Sequence, residues 1–182
     1  MESAMIEKFY PCEYVKSVYD IEFKKLYDSG IKAVIFDIDN TLVFQNEDST
    51  RETERLFSAL QKLGLKTMIL SNNNEERVRR FLRNIDSPYI CKAYKPFKKG
   101  YLRALKMLKV KKEEAVFVGD QLFTDILGAN RCGIRSILVR YIEKSGSKPQ
   151  LRRKFEKAIL RSYFKKHPGA DPGADSGLTS EL

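Results

Sequence analysis

The chain has 182 residues, 42% hydrophobic and 32% charged, with a formal net charge of +10. That length suits one domain, or one domain with appendages, with a core that buries about two thirds of the unfolded surface. No apolar run approaches the ~20 residues needed to cross a bilayer, and three widely spaced cysteines form no CxxC pair or disulfide frame. The opening MESAMIEKFYPCEY has no apolar stretch of the secretory kind, so cytoplasmic residence is the expectation. The charge is uneven. Residues 148–166 carry eight basic residues and one acid, Glu156. The remainder is close to neutral, so the basic character is assigned to an appendage and not to the domain body.

In chain order, residues 1–30 form an aromatic-rich segment expected to pack on the core, with a short helix over Ile21–Tyr27 stopped by Gly30. Ile31–Phe36 reads as the first strand; its all-apolar AVIF suits burial on both faces of a parallel sheet. A helix follows over Thr50–Leu63, then a strand over Lys66–Leu70 and a helix over Glu75–Asn84. Tyr89–Ala93 is a weak third strand, and Tyr101–Leu108 is helical. Ala115–Val118 is the fourth strand, Thr124–Arg131 a helix ended near Gly133, and Ile134–Val139 the fifth strand. Strands alternating with helices predict an α/β domain with a parallel sheet of about five strands. Ser145–Pro149 reads as a linker. A helix follows to Lys166, with Leu151, Phe155, Ala158, Ile159 and Ser162 as an apolar stripe under a basic face. Residues 167–182 read as a disordered tail with no core residue before Leu178.

Ligands of open α/β sheets sit beyond the carboxyl ends of the strands. The residues just past strands one to four are DIDNT, SNNN, YKP and GDQLFTD. Asp37 and Asp39, two apart in an extended segment, can face one site. Asp120 and Asp125 arrive from another strand end. Four converging carboxylates repel unless a cation or a proton relieves them. An all-oxygen ligand set favours a hard ion, and Mg²⁺ is the natural choice. Ser71 and Lys95 add a hydroxyl and a positive charge suited to phosphate oxygens. These are parts for phosphoryl transfer.

Those four motifs, in order and each behind a predicted strand, resemble the four motifs of the haloacid dehalogenase (HAD) superfamily of phosphatases, over Ile31–Val139. The finer wording, DIDNTL with GDQLFTD and the leading YPCEYVKSVYDI, is similar to the YqeG-type branch of subfamily IIIA, grouped with phosphatidylglycerophosphate phosphatases. The resemblance implies a Rossmann-like HAD fold over residues 31–144. It implies Asp37 as nucleophile, forming an aspartyl-phosphate, and Asp39 as general acid and base. It implies Mg²⁺ held by the carboxylates of Asp37 and Asp120 and the backbone carbonyl of Asp39, with Asp125 supporting the metal shell. Ser71 and Lys95 would bind the phosphoryl group, Asn72 would add a donor, and Thr41 would fix the loop. Asp39 must at times be protonated, which crowding by carboxylates would favour.

HAD enzymes often carry a lid domain after motif one or between motifs two and three. Thr41–Ser71 has room for one helix and a short flap, and Ser71–Lys95 for one helix and one strand. No large cap fits, so the site is open to large substrates: a macromolecule, or a lipid head group at a membrane. The expected substrate is the phosphomonoester of phosphatidylglycerophosphate. The rivals are a phosphatase of nucleic-acid ends or phosphoproteins, and a non-catalytic binding module. The basic helix, within 145–166, has three readings: a helix packed on the domain, a contact with the inner face of the membrane, or a nucleic-acid contact, the least favoured. Plainer readings apply elsewhere. SNNN can be a helix cap before Glu75 and Glu76, Asp125 can cap the following helix, and the opening tyrosines can be packing residues.

Overall fold

The structure, a computed structural model, describes residues 6–142 and 151–170. The expected linker at Ser145–Pro149 and the tail from residue 171 lie outside them.

Six strands form the sheet: β1 (Glu13–Val15), β2 (Ala33–Phe36), β3 (Lys66–Leu70), β4 (Tyr89–Ile90), β5 (Ala115–Gly119) and β6 (Arg135–Val139). All neighbours run parallel, in the order β1-β6-β5-β2-β3-β4. Five of these match predicted strands. The sixth, β1, is a correction: the opening segment supplies an edge strand paired to β6 through Tyr14 opposite Leu138.

Among the described residues these helices cover the faces: α1 (Phe23–Asp28), α2 (Arg51–Lys62), α3 (Glu75–Phe81), α4 (Lys98–Leu108), α5 (Leu127–Cys132) and α6 (Leu151–Lys166). None is long and apolar enough to cross a membrane among the described residues. Side chains alternate across a strand, so β2 feeds two cores. Val34 and Phe36 join Phe57, Leu60, Val78 and Phe81 on one face. Ala33 and Ile35 join Tyr101, Ala104, Leu105 and Ala129 on the other. All four residues of β2 are buried, as an all-apolar strand inside a parallel sheet requires.

Helix ends follow local chemistry. Thr50 caps α2 by accepting the Thr53 N–H at 3.2 Å, and Asn74 caps α3 by accepting the Arg77 N–H at 2.9 Å. Gly30, just past α1, takes a left-handed φ of 97° that a side chain would resist.

α6 packs on the domain by part of the stripe expected: Ile159 and Ser162 are half-buried, whereas Phe155 and Ala158 are exposed. Tyr163 and Glu156 are buried, while Phe155 is 61% exposed. The inward face is Glu156, Ile159, Leu160 and Tyr163, one residue round from the predicted stripe. The cause is polar: Glu156 Oε1 accepts the Leu122 N–H at 3.1 Å, and an unpaired buried N–H is costly. Tyr163 also meets Tyr10 edge-on at 5.5 Å, and Tyr14 meets Phe164 at 5.4 Å. His167, assigned to the tail, stacks on Tyr163 at 4.6 Å, and Pro168–Ala170 form a 3₁₀ turn.

The chain runs from β2 to β3 and β4 on one side, then returns to β5 and β6 on the other. The sheet order therefore reverses between β2 and β5, where a ligand crevice is expected in such sheets. Between β2 and β3 lies one helix, α2, and between β3 and β4 lie α3 and a 3₁₀ turn at Leu82–Asn84. Neither connection holds a cap domain.

Candidate active site

Asp37 follows β2 directly, and its N–H donates to Val118 O of β5 at 3.0 Å. Asp120 follows β5. The reversal of sheet order thus brings together carboxylates separated by more than eighty residues. Asp125 joins them from a π turn over Leu122–Ile126, an uncommon geometry often found at functional sites. Carboxylate oxygens of Asp37, Asp120 and Asp125 lie within 4.8 Å of one another. All three residues are buried.

Lys95 closes the group. Its Nζ is 2.8 Å from Asp37 Oδ1 and 2.7 Å from Asp125 Oδ1. Burial alone would pull this ammonium down, but the carboxylates of Asp125 and Asp37 outweigh it and push its pKa up. Burial pushes the Asp37 carboxyl up to about 6, with Lys95 opposing and Asp125 adding to the rise. Asp125 is held from its other oxygen, which accepts the Gln121 N–H at 3.0 Å. Close packing enforces the position: a Cβ on Gly119 would sit 2.6 Å from Asp125.

Above these groups opens a cavity of about 280 Å³ lined only by polar residues, among them Asp37, Asp39, Ser71, Asn72 and Lys95. Five of the seven motif-loop residues thus share this one space; Asp120 and Asp125 are not part of its lining and lie buried with Asp37. Their side chains do not all do what was expected. Asn72 binds the backbone of Lys95 twice: its Oδ1 accepts the Lys95 N–H at 2.7 Å and its Nδ2 donates to Lys95 O at 3.2 Å. It positions the lysine. Ser71 Oγ accepts from the Asn73 N–H at 3.2 Å and from Asn73 Nδ2 at 3.1 Å. Thr41, buried, has its hydroxyl 3.5 Å from Asp120 Oδ1, which suits a role in loop geometry.

Asp39 departs from expectation. It is not crowded by carboxylates. Its Oδ1 accepts from Arg77 Nη2 at 2.8 Å and from the Asn46 N–H at 3.0 Å, and its Oδ2 accepts from Asn73 Nδ2. Arg77 also donates to Glu47 O at 2.8 Å. The four-carboxylate cluster is therefore a three-carboxylate cluster beside an aspartate–arginine pair, because a separate cation was available to take the fourth. Arg77 was missed in the sequence, where it is one of several charges on a short helix. Burial of an Arg is the signal, and only the fold reveals it.

The donor set fits a hard divalent cation: three buried carboxylates offer oxygen ligands within 4.8 Å of one another.

Comparison with known proteins agrees with this geometry. Residues 46–133 match the model of a hydrolase family described as haloacid dehalogenase-like. The chain is 39% identical over 165 residues to a Bacillus subtilis protein named as the probable phosphatase YqeG, covering 89% of this chain and 96% of that one. In fold it is similar to the cobalt-bound deoxy-D-mannose-octulosonate 8-phosphate phosphatase of Haemophilus influenzae, with a TM-score of 0.52 at 17% identity, over 81% of this chain and 96% of that one. A Listeria monocytogenes protein aligns with a TM-score of 0.52 at 22% identity, over 75% of this chain and 99% of that one. The near-full-length relative, the family match and the site at the sheet reversal together place the chain among the haloacid dehalogenase-like hydrolases, as a phosphatase.

Proposed function

We propose that the chain hydrolyses a phosphomonoester through an aspartyl-phosphate at Asp37, with Mg²⁺ as cofactor, and that its substrate is the lipid phosphatidylglycerophosphate at the cytoplasmic face of a membrane. The observation that carries the chemistry is the meeting of Asp37, Asp120, Asp125 and Lys95 at the reversal of the sheet.

Asp37 attacks phosphorus, and the P–O bond to the leaving alcohol breaks. Asp39 gives the departing oxygen a proton. Water then attacks the phosphorus of the aspartyl-phosphate, Asp39 accepts its proton, and phosphate leaves with Asp37 regenerated. Asp39 lines the cavity while paired with Arg77, which orients its carboxyl. Lys95 and the Ser71 hydroxyl donate to phosphoryl oxygens, and Asn72 holds the Lys95 backbone while they do so. Mg²⁺, held by the carboxylates of Asp37, Asp120 and Asp125 and the carbonyl of Asp39, would supply neutralising charge to the phosphoryl group.

The lipid assignment is supported by the YqeG-type resemblance and by connections too short for a cap. A site without a cap leaves room for a head group still seated in a bilayer. The test is a screen of phosphatidylglycerophosphate in mixed micelles beside sugar, nucleotide, nucleic-acid-end and peptide phosphates. Preferential turnover of the lipid is expected. Good activity on the others with none on the lipid would overturn the substrate.

A further inference from the structure

The near-neutral charge of the chain outside residues 148–166 conceals a strongly basic stretch. Between Asp86 and Glu113 there are nine basic residues and no acid. One of the nine, Lys95, is buried in the active site. The other eight are exposed. Lys98, Lys99, Arg103 and Lys106 share the outer face of α4, and none of them is in an ion pair among the described residues. The expectation that basic character belongs only to the C-terminal helix is therefore corrected.

The same face carries apolar groups that the fold leaves in solvent. Tyr94 is 69% exposed and Phe97 is 67% exposed. Leu102 and Met107 are exposed further along α4, among its basic residues. Tyr94, Phe97, Lys99 and Arg103 line a second cavity of about 350 Å³. Tyr94 takes a left-handed φ of 53° and Lys92 one of 45°, a conformation that bulky side chains rarely adopt. Adjacent residues thus point opposite ways: Lys95 into the catalytic cavity, Tyr94 out to solvent. Asn72 ties this loop to the end of β3.

We propose that the Lys92–Phe97 loop and the outer face of α4 dock the enzyme on an anionic phospholipid surface, placing the mouth of the active site at the head groups. The choice of partner rests on the lipid reading given above. The chemistry favours a bilayer over a nucleic acid for two reasons. Aliphatic Leu102 and Met107 extend the apolar patch beyond the aromatics, which stacking on bases does not need. Most of the cations are lysines, whose stems lie along apolar surface while the ammonium stays at the head groups. Tyrosine suits that boundary equally well. Attraction to anionic lipid grows with each basic residue near the surface.

The test is flotation of the full-length protein with vesicles of phosphatidylcholine alone or with phosphatidylglycerol, none carrying a phosphomonoester lipid. Two variants are compared with the wild type: Tyr94→Asn with Phe97→Ser, and Lys99→Glu with Arg103→Glu. Asn tolerates the left-handed conformation at 94 and Ser is a good cap at 97, so the first pair relieves the local backbone. Lys157→Glu with Lys165→Glu on α6 makes the same charge change elsewhere. Wild type is expected to float with the anionic vesicles and not with the neutral ones. Each loop or α4 variant should lower its partition about tenfold or more, with hydrolysis of p-nitrophenyl phosphate and the α6 variant unchanged. Loss of floating only on changing α6, or salt-sensitive binding to single-stranded DNA without binding to vesicles, would overturn the proposal. Floating that depends on these residues, in a protein that turns over no lipid phosphate, would support docking while ending the lipid-substrate reading. Unaltered floating and lipid turnover in the variants would do the reverse.

Discussion

The guanidinium of Arg77 lies 2.8 Å from Asp39 Oδ1, joining the helix after β3 to the loop after β2. Both side chains are largely shielded, 7% and 16% exposed. Removing one partner leaves the other charge poorly solvated. Arg77→Ala should therefore destabilise the protein by about 2–4 kcal/mol and lower kcat, because the Asp39 carboxyl loses its orientation. Asp39→Asn in the same background should recover part of the stability. Urea denaturation of the four proteins of the cycle measures the coupling, expected at about 1–3 kcal/mol. Additivity would show that the pair does not position Asp39.

Lys95 is the only cation in contact with both Asp37 and Asp125 among the described residues. Lys95→Met leaves those carboxylates facing each other and removes a donor to the phosphoryl group. Turnover of a generic phosphomonoester at saturating Mg²⁺ should fall by about 10²–10³. A loss of less than tenfold would place the lysine outside the reaction.

The raised Asp37 carboxyl gives a pH dependence with a definite sign. Its folded value, about 6, is above the ordinary carboxylate value, so the folded protein holds the proton more tightly than the unfolded chain. The stability this supplies is complete below the ordinary value and is lost as pH rises through about 6. In EDTA, Asp37→Asn should therefore gain on the wild type by about 2–3 kcal/mol as pH goes from about 4 to about 7. Mg²⁺ competes with the same proton, so its affinity by calorimetry should weaken as pH falls below about 6. A pH-independent gap between the two proteins would refute the burial account of Asp37.

Gly119 leaves room for Asp125. In Gly119→Ala the new methyl would lie 2.6 Å from the Asp125 side chain, and one of them must move. A loss of about 1–3 kcal/mol is expected, with weaker Mg²⁺ binding than in a control such as Ala104→Gly. Unchanged Mg²⁺ affinity would separate Asp125 from the metal shell.

Much of this site was legible because strand ends in a parallel sheet are predictable. AVIF before Asp37 and AVFVG before Asp120 announce buried strands, and a parallel sheet collects their C-terminal ends at one rim. What escaped was set by contacts distant in sequence. Strand β1 is three half-buried residues without an apolar alternation, visible only through its pairing with β6. Arg77 looks like its neighbours, the exposed Arg79 and the half-buried Arg80, until α3 turns it onto Asp39. Phe155 was placed inward by hydrophobicity alone, whereas the Leu122 N–H drew Glu156 inward. Asn72 stands beside Ser71, which suggests a donor to the phosphoryl group, yet its amide answers the backbone of Lys95. In each case a polar partner elsewhere in the chain overrode the local pattern.

The most direct test of the account is to quench the enzyme during turnover of a phosphomonoester and map the phosphoryl group by mass spectrometry. The expected result is an acyl phosphate on the peptide containing Asp37, absent from Asp37→Asn, which is also inactive. Wild-type turnover by Asp37→Asn, or a phosphoryl group carried on another residue, would contradict it.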